Sequence, residues 1–109
     1  MPHIVIEHSE DLPLLPQVLV DKVHQTTYES GLFELSTIKT RAIAYQHYQL
    51  GEGKDGFIYI AAYIMAGRTT IEKQDLSERL LNCLRTYCRE SYSLSVNIYE
   101  NNSDTYRKC

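Results

Sequence analysis

Four residues in this chain have the types needed to move a proton on an anionic molecule: Pro2, Lys39, Arg41 and Arg68. Pro2 follows Met1 directly and precedes the alternating run His3-Ile4-Val5-Ile6-Glu7. A small second residue lets an initiator methionine be removed, which would leave a secondary amine at the tip of a strand. An α-amino group has a reference pKa of about 7.7–8.0. Modest positive potential or desolvation therefore leaves it largely as free base. A proton shift along a dienol or unsaturated acid needs one group that removes a proton and returns it elsewhere. It also needs cations that hold carboxylates and steady a developing enolate. Pro2 fits the first need, and Lys39, Arg41 and Arg68 fit the second.

Each of these residues also has a plainer reading. Proline is common at position two and is tolerated at the start of a strand. Lys39 and Arg41, judged by spacing alone, read as strand charges that snorkel to solvent. Arg68 reads as part of a helix-initiating loop, although a helix N-terminus also welcomes an anion. Tyr45, Tyr48, Tyr59 and Tyr63 could each supply a hydroxyl, but with nine tyrosines in the chain packing is the default role.

The 109 residues make one ordinary domain, expected to bury roughly two-thirds of its unfolded surface. A net charge of −3 and scattered basic residues argue against nucleic acid as a partner. No apolar run approaches the ~18 residues of a membrane span, and no signal-type core follows the N-terminus, so a soluble, cytoplasmic protein is expected. Three cysteines, Cys83, Cys88 and Cys109, fit neither a zinc spacing nor a secreted disulfide framework, and are read as reduced thiols. His3 and Glu7 share a strand face, but two candidate ligands do not make a metal site.

The elements that must position these groups follow from periodicity. Residues 3–8 alternate and read as a strand. Pro13 and Pro16 precede a helix of about 16–30, with Leu15, Val18, Leu19, Val23 and Thr26/Thr27 on its apolar stripe and Gly31 as its stop. Residues 37–48 give a second strand with Lys39, Arg41, Ile43, Tyr45 and His47 on one face and Ile38, Thr40, Ala42 and Ala44 on the other. A glycine-rich turn over 51–56 leads to a third strand at 57–65, apolar on both faces as a central strand should be. Thr69-Thr70-Ile71-Glu72 is a capping-box pattern opening a helix of about 70–89, with Leu76, Leu80, Leu84 and Tyr87 on one stripe. Residues 92–99 alternate as a fourth strand. The tail 101–109 reads as irregular, a segment that docks on a neighbouring subunit. The string is βαβ followed by βαβ, with pseudo-repeats at about 1–49 and 50–100 within a single α+β domain. Periodicity permits both a ferredoxin-like split βαβ and a tandem of parallel βαβ units.

Three segments carry a resemblance. Met1-Pro2-His3-Ile4-Val5-Ile6-Glu7, Gly31-Leu32-Phe33-Glu34-Leu35-Ser36-Thr37-Ile38-Lys39-Thr40-Arg41, and Ala66-Gly67-Arg68-Thr69 ahead of a helix together resemble the 5-carboxymethyl-2-hydroxymuconate isomerase family, a branch of the tautomerase superfamily. The resemblance spans nearly the whole chain through the fourth strand. It implies the tautomerase-like tandem βαβ fold, a four-stranded sheet covered by two helices. It further implies a homotrimer with sites near subunit boundaries, no metal or organic cofactor, and a processed N-terminal proline that moves protons. By this likeness Pro2 is catalytic, while Arg68 and Arg41 match the family's arginines and bind a small anionic carboxylate substrate. Lys39 stands where the characterised isomerases carry the first arginine of an Arg-x-Arg-like segment. The chain is also shorter than those isomerases around its first connection and at its C-terminus. The function expected is keto–enol tautomerisation of an unsaturated di- or tricarboxylate from aromatic catabolism. Two alternatives stand beside it: a non-catalytic trimeric binding module of the same fold, and a decarboxylase or hydratase of the same superfamily.

Overall fold

The computed structural model describes residues 1–51 and 53–109; Glu52, within the expected 51–56 turn, lies outside the described residues. Strand β1 (His3–Ser9), helix α1 (Pro16–Glu29), strand β2 (Lys39–Tyr45), strand β3 (Gly56–Met65), helix α2 (Thr70–Tyr87) and strand β4 (Tyr92–Asn101) follow one another in the chain. The sheet order is β2-β1-β3-β4. β1 runs parallel to β2, β3 runs parallel to β4, and β1 meets β3 antiparallel. Each βαβ unit thus keeps its two strands adjacent, and the choice left open by periodicity falls to the tandem arrangement, because a split βαβ would place another strand between them.

The core shows why these segments form these elements. Ile4, Ile6, Ile58, Ile60, Ala62 and Ile64 project from one side of the sheet into a cluster with Leu19, Val23, Leu76, Leu80 and Leu84 of the two helices. β-Branched isoleucines suit the pleated surface, and unbranched leucines keep their rotamers in helices. Burial of each such side chain stabilises the fold by about 1.5–3 kcal/mol. Both helices therefore cover one face, and the other face of the sheet carries His3, Lys39, Arg41, Tyr59, Tyr63 and Tyr99 without a covering element.

The elements differ from the sequence reading mainly at their ends. The second strand is shorter than 37–48. Leu35–Thr37 form a 3₁₀ turn, and beyond the Ser9↔Tyr45 pair β1 offers no further partner, so His47 lies past the strand. β4 runs two residues further than the alternation, since Met65 of β3 still pairs with Asn101. On α1 only Leu19, Val23 and Thr27 are buried. Leu15 precedes the first helical turn, and Val18 sits beside the inner stripe; both are exposed.

The expected capping box is present: the Thr69 hydroxyl accepts from the Glu72 amide at 3.1 Å, and the Thr69 amide donates to Glu72 Oε1 at 2.8 Å. The latter bond holds the Glu72 carboxyl below its usual range.

At the far end of the sheet, Ser9 Oγ accepts from the Phe57 amide at 3.1 Å. A β-carbon on neighbouring Gly56 would collide with Ser9 Oγ and approach Tyr92 Cε2 to 2.7 Å. Gly56→Ala is therefore expected to lower the urea midpoint, costing about 1–3 kcal/mol as an overpacked site does. Gly51→Ala, where a methyl meets no described atom within 4 Å, is expected to hold or raise the midpoint. Equal midpoints for the two variants would refute this packing argument.

Candidate active site

Register alone brings three of the four candidate residues to one end of the sheet. His3 pairs with Lys39 on one side and with Tyr63 on the other, so the start of β1 lies between the start of β2 and the end of β3. The Lys39 amide donates to the Pro2 carbonyl at 3.0 Å. Pro2 is buried there. Alternation then places His3, Lys39 and Arg41 on the uncovered face.

The amino terminus sits in a tight polar contact. The Met1 ammonium donates to the Thr37 carbonyl at 2.9 Å, and Lys39 Nζ donates to the same oxygen at 3.3 Å. Two cationic groups thus share one acceptor. Burial, the Lys39 charge and then the Lys108 charge push the terminal amine below its ordinary value of 8.0. Each disfavours the protonated form. Asn101, the last residue of β4, reaches Met1 Sδ at 3.8 Å.

Two positions along β2, Arg41 Nη1 donates to His3 Nδ1 at 3.1 Å. On the other side of the ring, His3 Nε2 lies 3.2 Å from the Tyr106 hydroxyl, and the two rings meet edge to face with centroids 6.2 Å apart. Burial, then Arg41, Lys39 and the terminal amine, lower the His3 pKa from 6.5. Tyr106, in the tail expected to dock on a neighbouring subunit, makes these contacts with His3 of its own chain.

Arg68 reaches the same end of the sheet by another route. β3 ends at Met65, and Gly67 takes a φ of 117°, a backbone state that a side chain would strain. Arg68 Nη2 then donates to the Leu32 carbonyl at 2.6 Å. Its guanidinium lies 5.3 Å from the centroid of the Phe33 ring, a cation–π contact. Among the described residues no hydrogen bond links Arg68 to Pro2, Lys39 or Arg41. The structure therefore gathers Pro2, Lys39 and Arg41 around His3, and holds Arg68 on the Leu32-Phe33 turn that leads into β2.

The ion pairs of the described residues are Lys73–Glu100, Arg79–Asp75 and Arg85–Glu78. None involves Lys39, Arg41 or Arg68, whose partners are carbonyls and an imidazole. Among the described residues none of the three forms an ion pair with a carboxylate, although the Arg68 charge reaches Glu72; a cation free of a carboxylate partner can take up an anionic ligand.

A hollow of about 1050 Å³ lies elsewhere, at the opposite end of the sheet between Lys54, Arg85, Cys88 and Tyr92. It holds none of the four candidates. On that face the Tyr59 and Tyr99 hydroxyls are 2.5 Å apart, and burial followed by this bond pushes Tyr59 up to about 12. The Tyr63 and Tyr99 rings stack at 5.1 Å. These tyrosines pack with one another.

Sequence reasoning missed His3 as a partner of Arg41, having weighed it only as a metal ligand, and missed Tyr106 and Lys108. The strand alternation that put His3 and Arg41 on faces was visible; the parallel pairing that made those faces one was not. The aperiodic tail carried no signal for Tyr106 or Lys108.

Comparison with known proteins agrees with this fold. The chain is 26% identical over 91 residues to the 5-carboxymethyl-2-hydroxymuconate Delta-isomerase of Escherichia coli, covering 80% of this chain and 72% of that one. The structure of a 5-carboxymethyl-2-hydroxymuconate isomerase from Deinococcus radiodurans R1 superposes with a TM-score of 0.85 at 23% identity, over 99% of this chain and 88% of the other. A fused 4-OT wild-type symmetric trimer shares the fold at a TM-score of 0.76 and 13% identity, over 91% and 85% of the two chains. Residues 2–109 match the model of the 5-carboxymethyl-2-hydroxymuconate isomerase family, and the chain belongs to that family, as an isomerase of the tautomerase superfamily.

Proposed function

We propose that this isomerase catalyses keto–enol tautomerisation of an unsaturated di- or tricarboxylate such as 5-carboxymethyl-2-hydroxymuconate, with the amine of Pro2, freed by removal of Met1, as general acid and base. The observation that carries this reading is the position of Pro2: its carbonyl accepts from the Lys39 amide at 3.0 Å, at the strand start beside Lys39 and an Arg41 that forms no ion pair with a carboxylate among the described residues. An amine freed at Pro2 would lie next to these cations, whose charge favours its free-base form. It can take a proton from one atom of a dienol and return it to another, with no net change in the enzyme.

Lys39, Arg41 and Arg68 would hold the substrate's carboxylates and the enolate oxygen. Arg41 and Arg68 offer planar forks to a carboxylate, whereas Lys39 offers a compact point charge. That difference bears on which acid fits. The uncovered sheet face also exposes Ile43 (47%), Tyr99 (38%) and Tyr63 (36%), which supports a homotrimer in which neighbouring subunits complete the walls of the site; symmetric trimers occur among the proteins of this fold.

Loss of Met1 should appear in the intact mass. Pro2→Ala, assayed by the ultraviolet absorbance of a 2-hydroxymuconate-type dienol, should reduce kcat/KM by about 10²–10⁴-fold, the usual worth of positioned proton transfer. The cations beside Pro2 disfavour a protonated amine there, so activity in the wild-type pH profile should fall on the acid side as the freed amine is protonated. A Pro2→Ala rate equal to wild type would remove Pro2 from the mechanism, and anion binding without turnover in wild type would identify a binding module instead.

Replacing a cation should act on binding. Lys39→Ala and Arg68→Ala should each reduce kcat/KM roughly ten- to a hundredfold, as expected for a lost charged hydrogen bond of about 1.5–3 kcal/mol. The loss should lie mainly in KM. Unchanged kinetics in Arg68→Ala would confine that residue to its Phe33 contact.

In sedimentation equilibrium the protein should behave as a particle of three times the 12.6 kDa chain mass. A monomeric mass would leave the site without its neighbouring wall and refute the shared-site arrangement.

A further inference from the structure

The contacts of His3 fix more than a packing arrangement. A guanidinium can only donate hydrogen bonds. Since Arg41 Nη1 lies 3.1 Å from His3 Nδ1, that nitrogen must be the unprotonated acceptor. The neutral ring then carries its hydrogen on Nε2, which stands 3.2 Å from the Tyr106 hydroxyl and donates to it. One imidazole thus ties β2 to Tyr106, which lies 103 positions from His3 in sequence. The tail is pre-shaped for this contact: the Thr105 and Tyr106 amides both bond the Asn102 carbonyl, at 3.1 and 3.0 Å, turning the chain back after β4.

We propose that His3 is a positioning residue of this site: as the neutral Nε2–H tautomer it aims the Arg41 guanidinium and latches residues 102–109 over the N-terminal end of the sheet. That this latch serves turnover rests on the function proposed above; the latch itself does not. It also accounts for Lys108, whose positive charge reaches the terminal amine from the tail.

The latch opens with acid. The groups facing His3 are Arg41 and Lys39 from β2, the terminal amine, Tyr63 from β3, and Tyr106 from the tail; Glu7 lies further along its own strand face. Protonation at Nδ1 would turn the acceptor toward Arg41 into a donor, and would add a charge among cations. Because the folded ring titrates below the 6.5 of a free imidazole, the latched state is intact above that pH and is lost as pH falls through the folded value.

The test uses the whole protein with ¹⁵N-labelled histidine. Ring ¹⁵N shifts at neutral pH should show His3 with Nδ1 bare and Nε2 protonated, and ¹⁵N heteronuclear NOEs of residues 103–108 should be those of ordered backbone. Tyr106→Phe should drop those NOEs to free-chain values while the ring tautomer persists. Lowering the pH should do the same in wild type, concurrently with the His3 titration. In kinetics, His3→Ala should raise KM about tenfold, the worth of one lost hydrogen bond to a charged group. His3→Asn, whose Oδ1 stands where Nδ1 accepted, should recover part of that loss without restoring the tail. An Nδ1–H tautomer, or an ordered tail in Tyr106→Phe, would overturn the proposal. These NMR outcomes hold whether or not Pro2→Ala abolishes activity, so failure of the latch and failure of the proline mechanism are read separately.

Discussion

The hydrogen bond from the Lys39 amide to the Pro2 carbonyl is the constraint on which the rest of the site depends. It starts the parallel ladder that places His3 opposite Lys39 and Val5 opposite Arg41, and a slip of one residue would turn both cations into the helix-covered core. Register is secured from the other side. Ile4 and Ile6 are fully buried, so β1 cannot shift without exposing them. The apolar face thus fixes the polar one. Proline is compatible with this central strand because it stands ahead of the first strand residue, where its missing N–H takes nothing from the ladder.

The same constraint forces an electrostatic cost. The chain is net negative at −3, yet it assembles the terminal amine, Lys39, Arg41 and the charge of Lys108 at one end of its sheet. An amine held below 8.0 means that the unfolded chain binds the extra proton in that pH window, so this group's contribution to stability rises with pH and is lost as pH falls. His3 behaves alike, with its window below 6.5. The fold tolerates both because the isoleucine–leucine core carries the stability and is set on the opposite face.

Much of this was legible in the sequence, and the reasons differ by feature. β1, β3 and the capping box at Thr69 carried strong local signals, and local signals survive folding when the tertiary context agrees with them. The ends of β2 and β4 did not, because a strand stops where its partner stops, and no residue near Tyr45 or Asn101 announces the length of β1 or β3. The choice between tandem and split βαβ depended on strand order, which periodicity does not encode. Pro2, Lys39 and Arg41 stood out by type and alternation; that Arg68 would rest on Phe33 and Leu32 required knowing that the turn after α1 and the turn after β3 meet at one end of the sheet. Tyr106 lies in a segment with neither period nor cap, so only its contact with His3 reveals its role.

Lys39 in place of an arginine becomes intelligible in these terms. A lysine ammonium is compact enough to fold back on the Thr37 carbonyl of its own connection and still bias the amine that shares the oxygen; a guanidinium would present a fork too broad for a single carbonyl already engaged by another donor. In the proposed site, bidentate recognition of carboxylate would then fall to Arg41 and Arg68. Each is held by a neutral acceptor, a histidine nitrogen or a backbone carbonyl, and a neutral acceptor orients a guanidinium without discharging it. A carboxylate arriving at either one gains the stronger charge-assisted bond and displaces little. The proposed site would thus divide its labour between a lysine that tunes the amine and arginines that are aimed and left charged.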